Sequence, residues 1–235
     1  MFNLGFNFKD IPAPNFRLFY LLFAVLFLLI SYPFFIEGPF YFIPVILLDV
    51  IIPLLAVYLA ADHNRNLFFA SALAVPLAIL SWLSLVDPTN WILSLLYLFG
   101  MIFYGFSVYV VLHQIIKSDV ITEDIIVGSI AAYLMVGLTW TNIYALADHL
   151  TTNGFNVSMD LLGSTGTQID YIYYSFVTLT NVGYGSITAA NHYTQAFSIL
   201  ESATGVIFTA VVVGRVIGLY VSEQGHSIFK KMMDN

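Results

Sequence analysis

Six long apolar runs constrain this chain more than any other feature of its sequence. The hydrocarbon core of a bilayer is about 30 Å thick, and a helix needs about 20 apolar residues to cross it. With 60% hydrophobic and 9% charged residues, the composition is that of an integral membrane protein. The predicted spans are residues 17–36, 40–61, 67–86, 91–113, 125–147 and 195–221.

The basic residues favour one orientation of these spans. If the N-terminus is cytoplasmic, every Lys and Arg falls on the cytoplasmic side, as the positive-inside rule expects. We therefore predict a multi-pass protein of the cell membrane whose N- and C-termini are both cytoplasmic. The basic residues are Lys9, Arg17, Arg65, Lys117, Arg215, Lys230 and Lys231.

A polar stretch with glycine at alternate positions interrupts the apolar pattern between the fifth and sixth spans. A short predicted helix, residues 169–180, leads into it. A backbone that alternates between left- and right-handed conformations can turn successive carbonyl oxygens toward one axis, and glycine adopts the left-handed conformation at little cost. Since irregular backbone at membrane depth is tolerated where it lines a water-filled path, we predict a re-entrant pore loop. The stretch reads Asn181-Val182-Gly183-Tyr184-Gly185.

Residues 121–223 resemble the bacterial potassium channels built from an outer helix, a pore loop and an inner helix. The likeness rests on residues 182–185 and on the inner-helix stretches 200–205 and 213–220. It implies an all-α membrane protein with six transmembrane helices, a re-entrant pore helix and a selectivity filter, assembled as a homotetramer around one pore. The filter is expected to bind K⁺ at Asn181, Val182, Gly183 and Tyr184.

The function implied is passive, potassium-selective conduction without catalysis. No organic cofactor and no nucleic acid are expected; the expected partners are other copies of the chain and membrane lipids. A voltage sensor built on arginines is excluded, because residues 91–113 of the fourth span contain no Lys or Arg. The sequence identifies neither a regulatory partner nor the stimulus that opens the pore.

The resemblance also assigns residues that support the filter. Tyr173 and Tyr174 correspond to aromatic residues that pack around it in this family. Asn181 stands where threonine is usual, and Ser186 where aspartate is usual, which puts the innermost ion site and the rigidity of the filter in doubt. The alternative function is therefore a weakly selective monovalent cation channel. The predicted supporting residues are Tyr173, Tyr174, Thr178, Thr180, Ser186 and Glu201.

Two carboxyl groups lie inside predicted spans, where an ionisable group is by default a functional candidate. For Glu201 the alternatives are a hydrogen bond to backbone, Ser175 or Thr178, and a titratable gate at the filter. For Asp49 they are a structural hydrogen bond and a role in gating or ion sensing.

The inner helix carries the candidates for opening the pore. Gly205 falls where related channels often have a hinge glycine. Thr209, Val213 and Ile217 follow at helical spacing on one face, and apolar rings can gate by dewetting. The same stripe could instead pack against a neighbouring helix.

The fifth span has features of its own. Thr122 is the predicted cap of its helix, ahead of two acidic residues. Gly128 and Gly137 permit close helix contact, and Trp140 and Tyr144 are predicted to lie at the membrane interface.

These predictions divide the chain into five parts. The four peripheral spans are interpreted as a scaffold around the pore. The parts are a cytoplasmic interfacial segment (1–16), a four-helix peripheral bundle (17–113), a cytoplasmic linker (114–124), the pore domain (125–223) and a short cytoplasmic tail (224–235).

Overall fold

A computed structural model describes most of the chain. The described residues are 17–35, 47–60, 64–117, 122–151, 154–157, 168–215, 217–218 and 221. The predicted interfacial segment 1–16 and tail 224–235 lie outside them, as do residues 118–121 of the predicted linker and the side chain of Val213.

Helices make up most of the described chain, as predicted. Two π-helical turns accompany them, Leu47–Ile51 before α2 and Thr209–Val213 after α7. Helix α4 runs past the predicted end of its span, so the first residues of the predicted linker are helical. The helices are α1 Arg17–Phe35, α2 Ile52–Ala60, α3 Asn64–Val86, α4 Asn90–Lys117, α5 Glu123–Leu150, α6 Gln168–Leu179 and α7 His192–Phe208.

Four described stretches are long and apolar enough to cross a membrane. They are Arg65–Val86, Asn90–Lys117, Glu123–Leu150 and His192–Val212. Helices α1 and α2 contribute shorter apolar stretches, Leu18–Ser31 and Asp49–Leu59. The full set of six spans therefore stays a prediction.

The start of α5 holds α1 in place. Thr122 Oγ1 accepts a hydrogen bond from Ile125 N at 3.4 Å, which confirms the predicted cap. Asp124 Oδ1 accepts from Leu18 N in the first turn of α1 at 2.8 Å. A side chain at Gly128 would overlap that of Leu18. The prediction that Gly128 permits close helix contact is thus confirmed.

Helices α1 to α5 and the short helix α6 share one hydrophobic core. Buried residues from α1 to α5 form this core, and Ile172 of α6 belongs to it. At Gly137 of α5 an added Cβ would lie 2.9 Å from the ring of Phe176, so α5 and α6 approach as closely as predicted. A second cluster lies beside α6 and is rich in tyrosine; its buried residues are Tyr97, Tyr144, Ala145, Tyr171, Tyr174 and Ile187.

A short antiparallel strand pair was not predicted. Strands β1 (Phe155–Val157) and β2 (Ile187–Ala189) pair with Phe155 opposite Ala189 and Val157 opposite Ile187. The pair joins the segment before α6 to the segment after residues 181–185, which we call the glycine-rich loop. The loop is thereby held at both ends, by α6 before it and by β2 after it.

Candidate functional site

The backbone of the glycine-rich loop alternates in the predicted way. The angle φ is 58° at Asn181, 63° at Gly183 and 79° at Gly185, whereas Val182 and Tyr184 have negative φ. Among the described residues Asn181 is the one non-glycine residue with positive φ. A left-handed conformation costs an L-residue about 1–2 kcal/mol, and Asn tolerates it better than most.

The alternation begins where α6 ends. Asn181 N donates to Thr178 O at 3.0 Å, and Val182 N donates to Val177 O at 3.0 Å. This pair of hydrogen bonds around a left-handed residue is the Schellman motif, in which Gly or Asn follows the helix. The loop is therefore a direct continuation of the helix cap.

The last four carbonyls of α6 all accept hydrogen bonds within the chain, although a helix end commonly leaves these groups unsatisfied. Phe176 O accepts from the hydroxyl of Thr180 at 2.6 Å, so that side chain turns back onto its own helix. Thr180 N also donates to Phe176 O, at 3.1 Å. Further bonds run from Val182 N and Gly183 N to Val177 O, from Ser202 Oγ to Thr178 O, and from Tyr133 OH to Leu179 O.

Tyr173 and Ser186 contact each other beside the loop. The hydroxyl groups of Tyr173 and Ser186 lie 2.9 Å apart. The ring of Tyr173 stacks on that of Tyr184, with centroids 6.5 Å apart and planes at 12°. Three predicted residues thus form one contact set around the loop.

The side chain of Tyr174 packs into the tyrosine-rich cluster beside α6, whereas that of Tyr173 contacts the loop. Its hydroxyl lies 2.6 Å from Ser198 Oγ on α7. Its ring meets those of Tyr144 and Phe155 at 4.9 Å in edge-to-face geometry, an arrangement worth about 0.5–1.5 kcal/mol beyond burial. Tyr174 therefore fixes α6 to α5, to α7 and to strand β1.

Glu201 is fully buried and joins three helices. Ser175 Oγ of α6 donates to Glu201 Oε1 at 2.6 Å and is also 2.7 Å from Gly137 O of α5. The hydroxyl of Tyr144 donates to Glu201 Oε2 at 2.5 Å. The bond from Ser175 was predicted. That from Tyr144 was not: the sequence indicated only its place near the end of the span, whereas the structure shows that its side chain is buried within the chain.

Gly205 lies where α7 crosses the end of α6. A Cβ at this position would overlap Leu179 O and lie 3.0 Å from the Leu179 carbonyl carbon. The close contact between α6 and α7 therefore requires a glycine at this position, whether or not Gly205 also serves as a hinge. Thr209 begins the π-helical turn and donates to Gly205 O at 2.9 Å, and Ile217 is exposed on the single chain.

Asp49 connects α3 to the start of α6. It lies in the π-helical turn before α2 and is buried. Ser81 Oγ of α3 donates to Asp49 Oδ2 at 3.2 Å, and Gln168 Nε2, in the first residue of α6, donates to Asp49 Oδ1 at 3.4 Å. The predicted structural hydrogen bond is confirmed, and Gln168 is a partner that the sequence did not reveal.

We expect Asp49→Ala to destabilise the protein by about 1–3 kcal/mol, because it removes the acceptor of the buried Ser81 hydroxyl. Asp49→Asn should cost less, since the amide oxygen still accepts one hydrogen bond. Thermal unfolding of the purified protein measures the difference. Asp87→Ala, at an exposed position, is the control; equal losses at Asp49 and Asp87 would refute a structural role for Asp49.

The segment that contains this loop is similar to known proteins. A family model described as "Ion channel" matches residues 132–222, a stretch that begins within α5 and includes α6, the loop and α7. Over this stretch the chain is similar to ion channels. It is also 32% identical over 68 residues to Two-pore potassium channel 4 of Arabidopsis thaliana.

The second match covers 29% of this chain and 24% of the plant protein, so the chain spans about a quarter of the length of that relative. Taken with the four long apolar helices, the ion-channel match supports a membrane protein with several spans.

Proposed function

We propose that four copies of this chain form a channel that conducts K⁺ passively through a filter made of residues 181–185. The observation that carries this is the alternation of φ along the loop, in a segment similar to ion channels. Backbone carbonyls arranged in rings replace the hydration shell of K⁺, and one loop can supply only a quarter of each ring. The ions would bind at Asn181, Val182, Gly183 and Tyr184.

Potassium is proposed as the ion for two reasons. The filter residues 182–185 have the Val-Gly-Tyr-Gly order of potassium channels, and the plant relative is named as a potassium channel. Ser186 takes the place of the usual aspartate but keeps a hydrogen-bonding contact with Tyr173. A weakly selective cation pore is the alternative that the ion preference will test.

The remaining parts of the channel are proposed from their positions. The chain lies in the cell membrane with both termini in the cytoplasm, and α1 to α4 form a scaffold around the pore. The gate lies in the cytoplasmic half of the inner helix, at Thr209, Val213 and Ile217. A π-helical turn covers the first two, and such turns often mark functional sites in helices.

Flux through the purified full-length chain in liposomes tests this proposal. We expect K⁺ efflux down its gradient, with K⁺ preferred over Na⁺ in reversal potentials, and a particle mass of four 26.3 kDa chains. Liposomes without protein control for leakage. A stable monomer or dimer that still conducts would refute the tetramer, equal K⁺ and Na⁺ flux would favour the weakly selective alternative, and absence of flux would refute the channel.

A further inference from the structure

We infer that Asp49 is a positioning residue for the proposed filter: through Gln168 it fixes the start of α6, and α6 leads at its other end into the glycine-rich loop. This inference rests on the proposed function. It gives the helices before α5 a part in ion preference, whereas a scaffold would only surround the pore. Asp49 acts here through its hydrogen bonds and not as an ion ligand.

The backbone places Asp49 at an irregular point of its helix. Asp49 lies in the π-helical turn Leu47–Ile51, and Pro53, one helical turn later, lacks the N–H that would donate to Asp49 O in an α-helix. Turns of this kind often occur at functional sites. The side chain is 3% exposed. Its Oδ2 accepts from Ser81 of α3 and its Oδ1 from Gln168 of α6, so one carboxyl group joins the two helices.

One face of α6 packs on the core that α1 to α5 form. Ile172 belongs to that core, and Ile169 and Phe176 pack against it. The three residues recur at helical spacing and therefore share a side of the helix. The contact of Gln168 with Asp49 extends this packing to the first residue of α6.

The two ends of α6 are held by different parts of the chain. Leu179 O at its C-terminal end accepts from Tyr133 of α5, whereas Gln168 at its start donates to Asp49. The helix has 12 residues, which makes it about 18 Å long. Because so short a helix moves as a rigid rod, a shift at its start tilts its axis and redirects the loop that follows it. The ion preference of a carbonyl ring depends on how its oxygens are arranged, so loss of the Asp49 contact should change that preference.

The contact can be removed from either side or kept in altered form. Asp49→Leu replaces the carboxyl group by an apolar group of similar shape, and Gln168→Met removes the amide but keeps the length of the side chain. In Asp49→Asn the amide oxygen can accept from Ser81, while Nδ2 donates to Gln168 Oε1 once that amide has turned over. The K⁺/Na⁺ permeability ratio should fall about three- to tenfold in Asp49→Leu and Gln168→Met, the range set by one lost hydrogen bond, and stay within about twofold of wild type in Asp49→Asn.

Ser107→Ala is the matched control for losing a buried hydrogen bond elsewhere. The Ser107 hydroxyl donates to Pro53 O of α2 at 3.1 Å and to Phe103 O of its own helix at 2.8 Å. Because both bonds lie within the helices before α5, this variant should lose thermal stability and keep the permeability ratio. A ratio lowered in Ser107→Ala as far as in Gln168→Met would show that ion preference follows stability alone, which would overturn the inference.

The double variant Asp49→Leu/Gln168→Met completes the test. Reversal potentials of the full-length channel in liposomes give the permeability ratio of each variant. If the contact carries the effect, the double variant should be no worse than the more damaged single variant. Independent losses that multiply, or a wild-type ratio in both single variants, would refute the role of the contact. An Asp49→Asn ratio as low as that of Asp49→Leu would show that the carboxyl group itself is required, and would equally overturn the inference.

Thermal unfolding keeps this test separate from that of the proposed function. If the wild-type protein carried no flux, the proposed function would fail, and the stabilities of the wild type, the two single variants and the double variant would still measure the coupling between positions 49 and 168. Strictly additive losses of stability would then refute the contact between Asp49 and Gln168.

Discussion

Gly205→Ala should reduce K⁺ flux at least about tenfold and lower the thermal stability of the assembled protein. The added Cβ would overlap Leu179 O and approach the Leu179 carbonyl carbon to 3.0 Å. These are backbone atoms at the end of α6, and they cannot move aside as the end of a flexible side chain can. Inserting atoms into a packed contact costs about 1–3 kcal/mol, and here the displaced atoms adjoin the proposed filter.

Gly105→Ala is the matched control for this substitution. Gly105 lies within α4, and its added Cβ would be 4.0 Å from Thr139 Cγ2, an ordinary contact. Because alanine is favoured over glycine in a helix interior by about 1 kcal/mol, this variant should be neutral or stabilising. Gly205→Ala with full thermal stability but fewer openings would show that Gly205 acts as a hinge and not as a packing contact.

The local features of this fold could be predicted from the sequence, since each depends on residues close together in the chain. The cap at Thr122 needs one side chain and the helix that follows it. The alternation of φ from Asn181 to Gly185 needs glycines at the correct spacing. The long apolar helices need only length and composition.

The contacts that hold the loop were harder to predict, since they join residues far apart in the chain. Tyr133 reaches Leu179 O across 46 positions, and Gln168 reaches Asp49 across 119. Tyr144 is an aromatic residue with a polar hydroxyl near the end of a span, as interfacial residues are. Only the packed fold shows that this hydroxyl donates to the buried carboxyl of Glu201. Three-residue strands such as β1 carry too little pattern to be recognised.

Glu201→Leu should be the second damaging substitution, with a loss of about 1–3 kcal/mol of stability and a corresponding loss of flux. Leucine leaves the buried hydroxyl of Tyr144 without its acceptor at 2.5 Å. Ser175 is affected less, because Gly137 O remains 2.7 Å from its hydroxyl. Glu201→Gln should be milder, since the amide oxygen can still accept one of the two hydrogen bonds.

The variant Glu201→Gln also tests the alternative of a titratable gate. A gate of that kind requires that flux through the wild-type channel changes with pH and that Glu201→Gln removes the change. A structural role predicts that the wild type and Glu201→Gln share one pH profile. Flux measured over a pH series in liposomes distinguishes the two.

A double substitution separates the cost of the stranded hydroxyl from the value of the hydrogen bond itself. Removing both partners of a buried hydrogen bond can be nearly neutral, whereas removing one leaves the other unsatisfied. Tyr144→Phe combined with Glu201→Leu should therefore be more stable than Glu201→Leu alone, because no hydroxyl is left at the position of Tyr144. The coupling energy between the two positions follows from the thermal stability of Tyr144→Phe, of Glu201→Leu and of the double variant, each compared with wild type. Strictly additive losses would contradict the contact between Tyr144 and Glu201, and with it the view that this buried carboxyl holds α5, α6 and α7 together.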